Sequence, residues 1–130
     1  MEERIKHRVV AKVAVYSPDG QSVLSNNISS LGHGLPGGHL EDNEDPLDCL
    51  KREVLEELGI DDLYGFELEA SWWHEDRKLV LGYTSKRDTV ELPPAPHPQI
   101  EFGEWLEIKS ISEKTIGSYV NFIKKFQPKQ

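Results

Sequence analysis

One cysteine is all the sequence holds. With Cys49 alone no disulfide can form within the chain, and nothing points to an oxidising compartment. No apolar run approaches the length of a membrane span. The amino-terminal stretch MEERIKHR is charged and lacks the apolar centre of a secretory leader, so a cytoplasmic protein with no membrane partner is expected. Positive charge is in deficit too: 15 Lys and Arg against 23 Asp and Glu give a net charge of −8. That argues against binding a nucleic-acid polymer, which needs a basic surface, though not against a free nucleotide held through metal ions. No internal repeat and no linker is visible. The 130 residues suit one domain over 1–130, large enough for a core without staples.

What is present is lopsided. Residues 41–62 contain ten Asp or Glu, opposed only by Lys51 and Arg52, so this segment carries 2 − 10 = −8, the net charge of the whole chain. The rest balances, 13 basic residues against 13 acidic.

The elements are legible in outline. Residues 9–17, VVAKVAVYS, have the β-branched, partly alternating look of a strand. SPDGQ is a turn signal and SVLS resumes as a short strand, which predicts a hairpin. The Gly- and Ser-rich stretch SNNISSLGHGLPGG reads as a loop. Next comes a helix with punctuation at both ends: Asp45 as N-cap, Pro46 in the first helical position, Gly59 at the stop. Leu47, Leu50, Val54 and Leu58 form its apolar stripe. FELEASWW and KLVLGYTS read as two strands joined by the polar turn HEDR. ELPPAPHPQ holds four of the eight prolines and must be irregular. IEFGEWLEI is a last strand, and a final helix is expected within 112–126, with Ile116, Tyr119, Val120 and Ile123 at helical spacing. Strands and helices mix without regular alternation, which predicts an α+β fold or a helix–sheet–helix sandwich.

Glu53, Glu56 and Glu57 stand at i, i+3 and i+4, so their carboxylates share one helical face. Like charges so placed oppose one another unless something neutralises them, and hard divalent cations with oxygen ligands would do so. Arg52 can hold one carboxylate bidentately while the others take metal. A solvated acidic face is the competing reading. The preceding LPGGH favours a site, because glycine lets backbone pass close to a ligand, and Mg²⁺ commonly bridges carboxylates and substrate phosphates. An EF-hand is excluded: DNEDPLD lacks the glycine needed at loop position six.

This segment resembles the Nudix hydrolases, whose pattern is G-x5-E-x7-R-E-U-x-E-E-x-G-U with U a bulky aliphatic residue. Gly38, Glu44, Arg52, Glu53, Val54, Glu56, Glu57, Gly59 and Ile60 match all of its fixed positions. The flanking strands and the late helix fit the order of the Nudix α/β/α sandwich, with a mixed sheet and the acidic helix. The resemblance implies hydrolysis of a diphosphate linkage in a nucleoside diphosphate joined to some group X. It implies Glu53, Glu56 and Glu57 as ligands of Mg²⁺, with Mn²⁺ as a substitute. Glu53 or Glu57 would help deprotonate water, Arg52 would orient Glu53, and Gly37 and Gly38 would shape the loop beside the phosphates. Glu44 matches the motif, and its place before the helix suggests a structural or outer-shell role. Many family members recruit a further acidic residue near the last strand; Glu101 and Glu104 are the candidates, with Glu101 preferred because it lies nearer the proline-rich loop, against the alternative that both sit on an exposed strand face. His97, alone in that loop, is a weaker candidate for a base.

Trp72 and Trp73, adjacent in a strand, point to opposite faces. One packs in the core; the other, taken here as Trp73, is offered for stacking on a base, with plain packing of both as the competing reading. His74 and Tyr83 are weaker candidates of the same kind. LSNN and GHGLPGG stand where many relatives carry an arginine and a tryptophan, which alters the expected substrate pocket. Downstream, WHEDRK lacks the proline of ADP-ribose enzymes and the tyrosine of dinucleoside polyphosphate enzymes. The compact length and LPGGHLE resemble the MutT-like group, which cleaves nucleoside triphosphates to monophosphate and pyrophosphate. Cys49 reads as a packing residue, since neighbouring carboxylates would raise its pKa. The alternative to an enzyme is a non-catalytic domain that senses a nucleotide or binds a partner. Such domains usually lose glutamates of the motif, and this chain keeps them all. The small-molecule partner is a nucleotide, and a homodimer is left open.

Overall fold

A computed structural model describes residues 6–75 and 77–129. Residues 1–5 of the amino-terminal segment and Asp76 of the expected HEDR turn lie outside the described residues.

Strand β1 (Arg8–Tyr16) is the organising element of a seven-stranded sheet. Both of its faces are covered, so its pattern is apolar almost throughout. Ala11, Val13 and Val15 pack in one core with Leu50, Val54 and Leu58 of helix α1 (Pro46–Leu58). Ala14 and Tyr16 pack in the other with Ile116, Val120, Phe122 and Ile123 from the carboxy-terminal segments. Along one edge β1 runs parallel to β6 (Lys78–Lys86) over its full length, from Arg8↔Lys78 to Tyr16↔Lys86. Strand β5 (Tyr64–His74) lies antiparallel to β6 and ends the sheet on that side.

The other edge of β1 is divided. Its first half pairs with β4 (Gly37–His39), and β2 (Ser22–Ile28) joins only at Tyr16↔Val23. Strand β2 then diverges, pairing with β7 (Glu101–Glu107) from Ser22↔Glu107 to Ile28↔Glu101 and, at its far end, with β3 (Gly32–Gly34). The sheet forks there, and Val13 N donates to Pro36 O across the fork at 3.0 Å. Gly37 is obligatory at this point. Its φ is 137°, and a Cβ would lie 1.9 Å from Ala11 O.

Helix α1 follows its punctuation. Asp45 has extended backbone at the N-cap, although its side chain makes no cap bond, and Gly59 closes the helix in the left-handed region with its N–H on Leu55 O. Cys49, Leu50, Val54 and Leu58 are buried; Cys49 replaces Leu47, which is half-buried, in the predicted stripe. Burial of each large aliphatic side chain is worth about 1.5–3 kcal/mol.

Two expectations need correction. SNNISSLGHGLPGG is not one loop: β2 continues through Asn26 and Asn27 to Ile28, and β3 and β4 follow. Asparagine is poor in strands, but the main-chain partners supplied by β7, far away in sequence, override that preference. The final helix is also broken, into α2 (Glu113–Ile116), a 3-10 turn (Gly117–Tyr119) and α3 (Val120–Lys125). Gly117, at φ 67° and ψ −145°, interrupts it. The result is the expected α+β architecture, a mixed sheet with helical segments on both faces.

Candidate active site

Helix α1 presents its glutamates to the fork. Glu53 and Glu57, one turn apart, line a cavity of about 480 Å³ together with Gly37, Gly38 and Glu101. Gly38 serves as a cradle: a Cβ there would lie 2.5 Å from Glu53 Cδ, so the carboxylate rests on bare backbone. Gly37 N donates to Glu57 Oε1 at 3.3 Å. On β2, buried Asn26 faces the same side of the sheet as Glu101, and its Nδ2 donates to both Glu57 Oε2 and Glu101 Oε1. One amide thus joins a carboxylate of the helix to one of the last strand.

The predicted trio divides. Glu56 does not line the cavity; its side chain is 59% exposed, against 21% for Glu53, and its partner is Arg52 at 3.4 Å. On a helix the i+3 position is rotated from the i and i+4 pair, enough here to turn Glu56 outward. Glu101 stands with Glu53 and Glu57 instead. Glu104 lies on the opposite face of its strand, held by His33 Nε2 at 2.6 Å and Asn27 Nδ2 at 3.3 Å. Arg52 donates from Nη1 to Glu53 Oε1 at 3.0 Å. Glu44 holds the same guanidinium, which drops the Glu44 pKa to about 2.

Of the two tryptophans, Trp72 enters the second core against Phe122, ring centroids 5.4 Å apart. Trp73 is 61% exposed beside the His7 ring and does not line the cavity with the glutamates. The rings that do are His39, His74 and Tyr119. Tyr83 is buried in the first core, and His97 is exposed in the turn before β7. Cys49 is buried, its thiol raised to about 12 by burial and by Glu44, as a packing residue should be.

Sequence reasoning missed Lys12 and Asn26. Lys12 interrupts an apolar strand with a charge, which is a readable signal; Asn26 gives none. The Lys12 ammonium donates to Leu35 O at 3.2 Å and Gly37 O at 3.5 Å. Burial pulls its pKa down, while Glu57, Glu53 and Glu101 pull the other way. Burial raises Glu57 to about 9; Lys12 opposes the shift, and the neighbouring Glu101 and Glu53 add to it. Lys78 and the His39 and His74 rings line the same cavity, so its charge is mixed, carboxylates at Glu53, Glu57 and Glu101 against ammonium groups at Lys12 and Lys78.

Among the described residues no three Asp, Glu, His or Cys side chains are gathered as a ready-formed metal centre. The donor set nevertheless suits a hard divalent cation. Glu53, Glu57 and Glu101 offer oxygen ligands around one cavity, and the glycine cradle leaves the Glu53 carboxylate beside bare backbone. Asn26 Oδ1, buried and without a partner among the described residues, is a further oxygen beside them.

Comparison with known proteins agrees with this fold. An RNA pyrophosphohydrolase from Bartonella henselae is 29% identical, over 70% of this chain and 62% of the relative. The chain therefore spans about 62% of that relative's length. A MutT structure from work on Aliivibrio salmonicida and Vibrio cholerae superposes with a TM-score of 0.72 at 16% identity, covering 93% of this chain and 96% of the other. A nudix hydrolase family member from Chromobacterium violaceum gives 0.70 at 16%, covering 95% and 79%. Identities this low speak for the fold alone. The NUDIX domain family matches from residue 6 to residue 126, so the chain belongs to the Nudix family.

Proposed function

We propose that this protein is a pyrophosphohydrolase that cleaves a diphosphate linkage in a nucleoside di- or triphosphate derivative, with Mg²⁺, or Mn²⁺ in its place, as cofactor. The observation that carries the reading is the convergence of Glu53, Glu57 and Glu101 with the Gly37–Gly38 backbone and Lys12 on one cavity. Nudix hydrolases generally use divalent metals, and the oxygen donors here suit one.

The reaction breaks one bridging P–O bond and forms another to the oxygen of water. A bound cation would neutralise phosphate charge and act as Lewis acid toward the phosphoryl oxygens. Glu53, fixed by Arg52 and cradled on Gly38, and Glu57, fixed by Gly37 N and Asn26, would hold that cation. Glu101 shares Asn26 with Glu57 and is free to accept the proton of the attacking water at its carboxylate. Lys12, Lys78 and His74 would meet the substrate's remaining phosphate oxygens, and the leaving phosphate carries away the electron pair of the broken bond.

Within this class LPGGHLE favours a MutT-like substrate, a nucleoside triphosphate released as monophosphate and pyrophosphate. The name of the Bartonella relative adds a 5′-triphosphorylated RNA end to the candidates, although a net charge of −8 offers little to an extended RNA. The test is phosphate and pyrophosphate release across nucleoside triphosphates, oxidised nucleotides, ADP-ribose, dinucleoside polyphosphates, nucleotide sugars and a triphosphorylated oligonucleotide. Each is run with Mg²⁺ or Mn²⁺ and beside a Glu57→Gln control. Turnover of one class, lost in the control, is expected. No turnover from protein that binds nucleotide would favour the non-catalytic sensing domain.

A further inference from the structure

Lys12 occupies an unusual place. On β1 its side chain shares a face with Val10, Ala14 and Tyr16, all apolar, yet it ends in an ammonium among carboxylates. Its Cα is the strand partner of Gly37, and its ammonium donates to the carbonyls of Leu35 and Gly37. The N–H of Gly37 in turn holds Glu57 Oε1. Lys12 is therefore tied to Glu57 through the glycine turn by hydrogen bonds and through the cavity by charge. An ammonium with three donors and two carbonyl partners keeps one donor for the cavity. Carboxylates gathered there would repel one another as they ionise, and a single half-buried cation in the same cavity offsets part of that cost.

Resting on the metal-dependent reading above, we infer that Lys12 is a built-in counter-cation. It is a positioning residue that holds the Gly37 turn against the cavity of Glu53, Glu57 and Glu101 without metal, and its positive charge in that same cavity lowers the affinity for a divalent cation. Lys12 thus sets how much free metal the site requires.

The test is calorimetric titration of the purified protein with Mg²⁺ in the absence of nucleotide. Lys12→Met is expected to bind Mg²⁺ about tenfold more tightly than the wild type or better, because a like charge beside the cation is removed. Lys12→Gln keeps a donor for the carbonyls of Leu35 and Gly37 while losing the charge; it should bind as tightly as Lys12→Met, and it carries the test should Lys12→Met not fold. Lys12→Arg, with the charge restored, should return to wild-type affinity. Equal or weaker Mg²⁺ binding by Lys12→Gln overturns the inference whatever the hydrolysis panel shows. A protein that titrates as expected but turns over nothing sinks the enzymatic reading alone. Absence of Mg²⁺ binding in every variant overturns both.

Discussion

Arg52 grips Glu44 with two parallel hydrogen bonds, Nε to Oε2 at 2.8 Å and Nη2 to Oε1 at 2.9 Å. That fork leaves Nη1 for Glu53 at 3.0 Å, so a residue in the loop before the helix fixes a carboxylate at the cavity. Lysine keeps the charge but loses the fork. Arg52→Lys should fold normally and lose about tenfold to a hundredfold in activity, the range seen when a partner that orients a metal ligand is removed. Steady-state kinetics with circular dichroism as the folding control would check this, and unchanged kinetics would refute it.

The same pair gives an acid-side prediction. The Arg52 hydrogen bonds hold Glu44 near 2, below its ordinary 4.5. A carboxyl with a depressed folded-state pKa stabilises above its unfolded value, and that stabilisation is lost as pH falls through the folded value. The difference in melting temperature between wild type and Glu44→Gln should be constant above about pH 5 and should shrink steadily toward pH 2. A difference independent of pH would show that Glu44 acts only by packing.

Glu57 gives the opposite slope in metal-free protein. Burial lifts it from 4.5 to about 9, so between these values the folded chain keeps a proton that the unfolded chain has released. Stability must then fall as pH rises across that window. In the presence of a chelator the melting temperature of the wild type relative to that of Glu57→Gln should decline from pH 5 to pH 9. Binding of Mg²⁺ at neutral pH should release a proton, seen as a buffer-dependent enthalpy.

Gly37 and Gly38 should separate on substitution. Alanine at 37 places its Cβ on main-chain oxygen with φ at 137°, and should cost about 3 kcal/mol or more of stability in urea unfolding. Alanine at 38 meets only the carboxylate end of Glu53, which can swing away. Gly38→Ala should keep most of its stability and lose activity instead. Equal destabilisation by both changes would contradict the cradle.

The two tryptophans offer a matched pair. Trp72→Ala removes a ring that packs on Phe122 and Tyr119, and should cost about 3 kcal/mol. Trp73→Ala removes an exposed ring outside the cavity and should leave kcat/KM within about twofold, as surface changes usually do. A large rise in KM for Trp73→Ala would restore that residue to substrate binding.

How far the sequence could be read depended on where the decisive interactions lay. Helix α1 was legible because Pro46, Gly59 and its apolar spacing are local signals. Glu53, Glu57 and Arg52 were legible for the same reason, since helical spacing and the family motif both lie within that helix. Glu56 looked equivalent because spacing shows which residues share a helical face, not which of them turns toward the fork. The strand through Asn26 was hidden, since its hydrogen-bond partners are on β7, and so was the amide bridge from Glu57 to Glu101. The choice of Glu101 over Glu104 turns on the same register, which puts Ile28 opposite Glu101 and Ser25 opposite Glu104. Gly117 could have been read as a helix breaker, but the periodicity around it ran on undisturbed.

The parallel pairing of β1 with β6 also bears on how the molecule comes into being. Arg8 must find Lys78, and Ser22 must find Glu107, so the central rungs close loops spanning most of the chain. Such distant pairings slow folding, because chain entropy is lost before any contact repays it. During synthesis β1 leaves the ribosome long before β6 exists, an apolar strand with neither neighbour in place. Helix α1 can coil early from its own sequence, but Glu101 reaches its glutamates only when the rungs of β2 and β7 close. The cavity is therefore among the final parts of the protein to form, and a chain halted short of β7 would carry the acidic helix without the site.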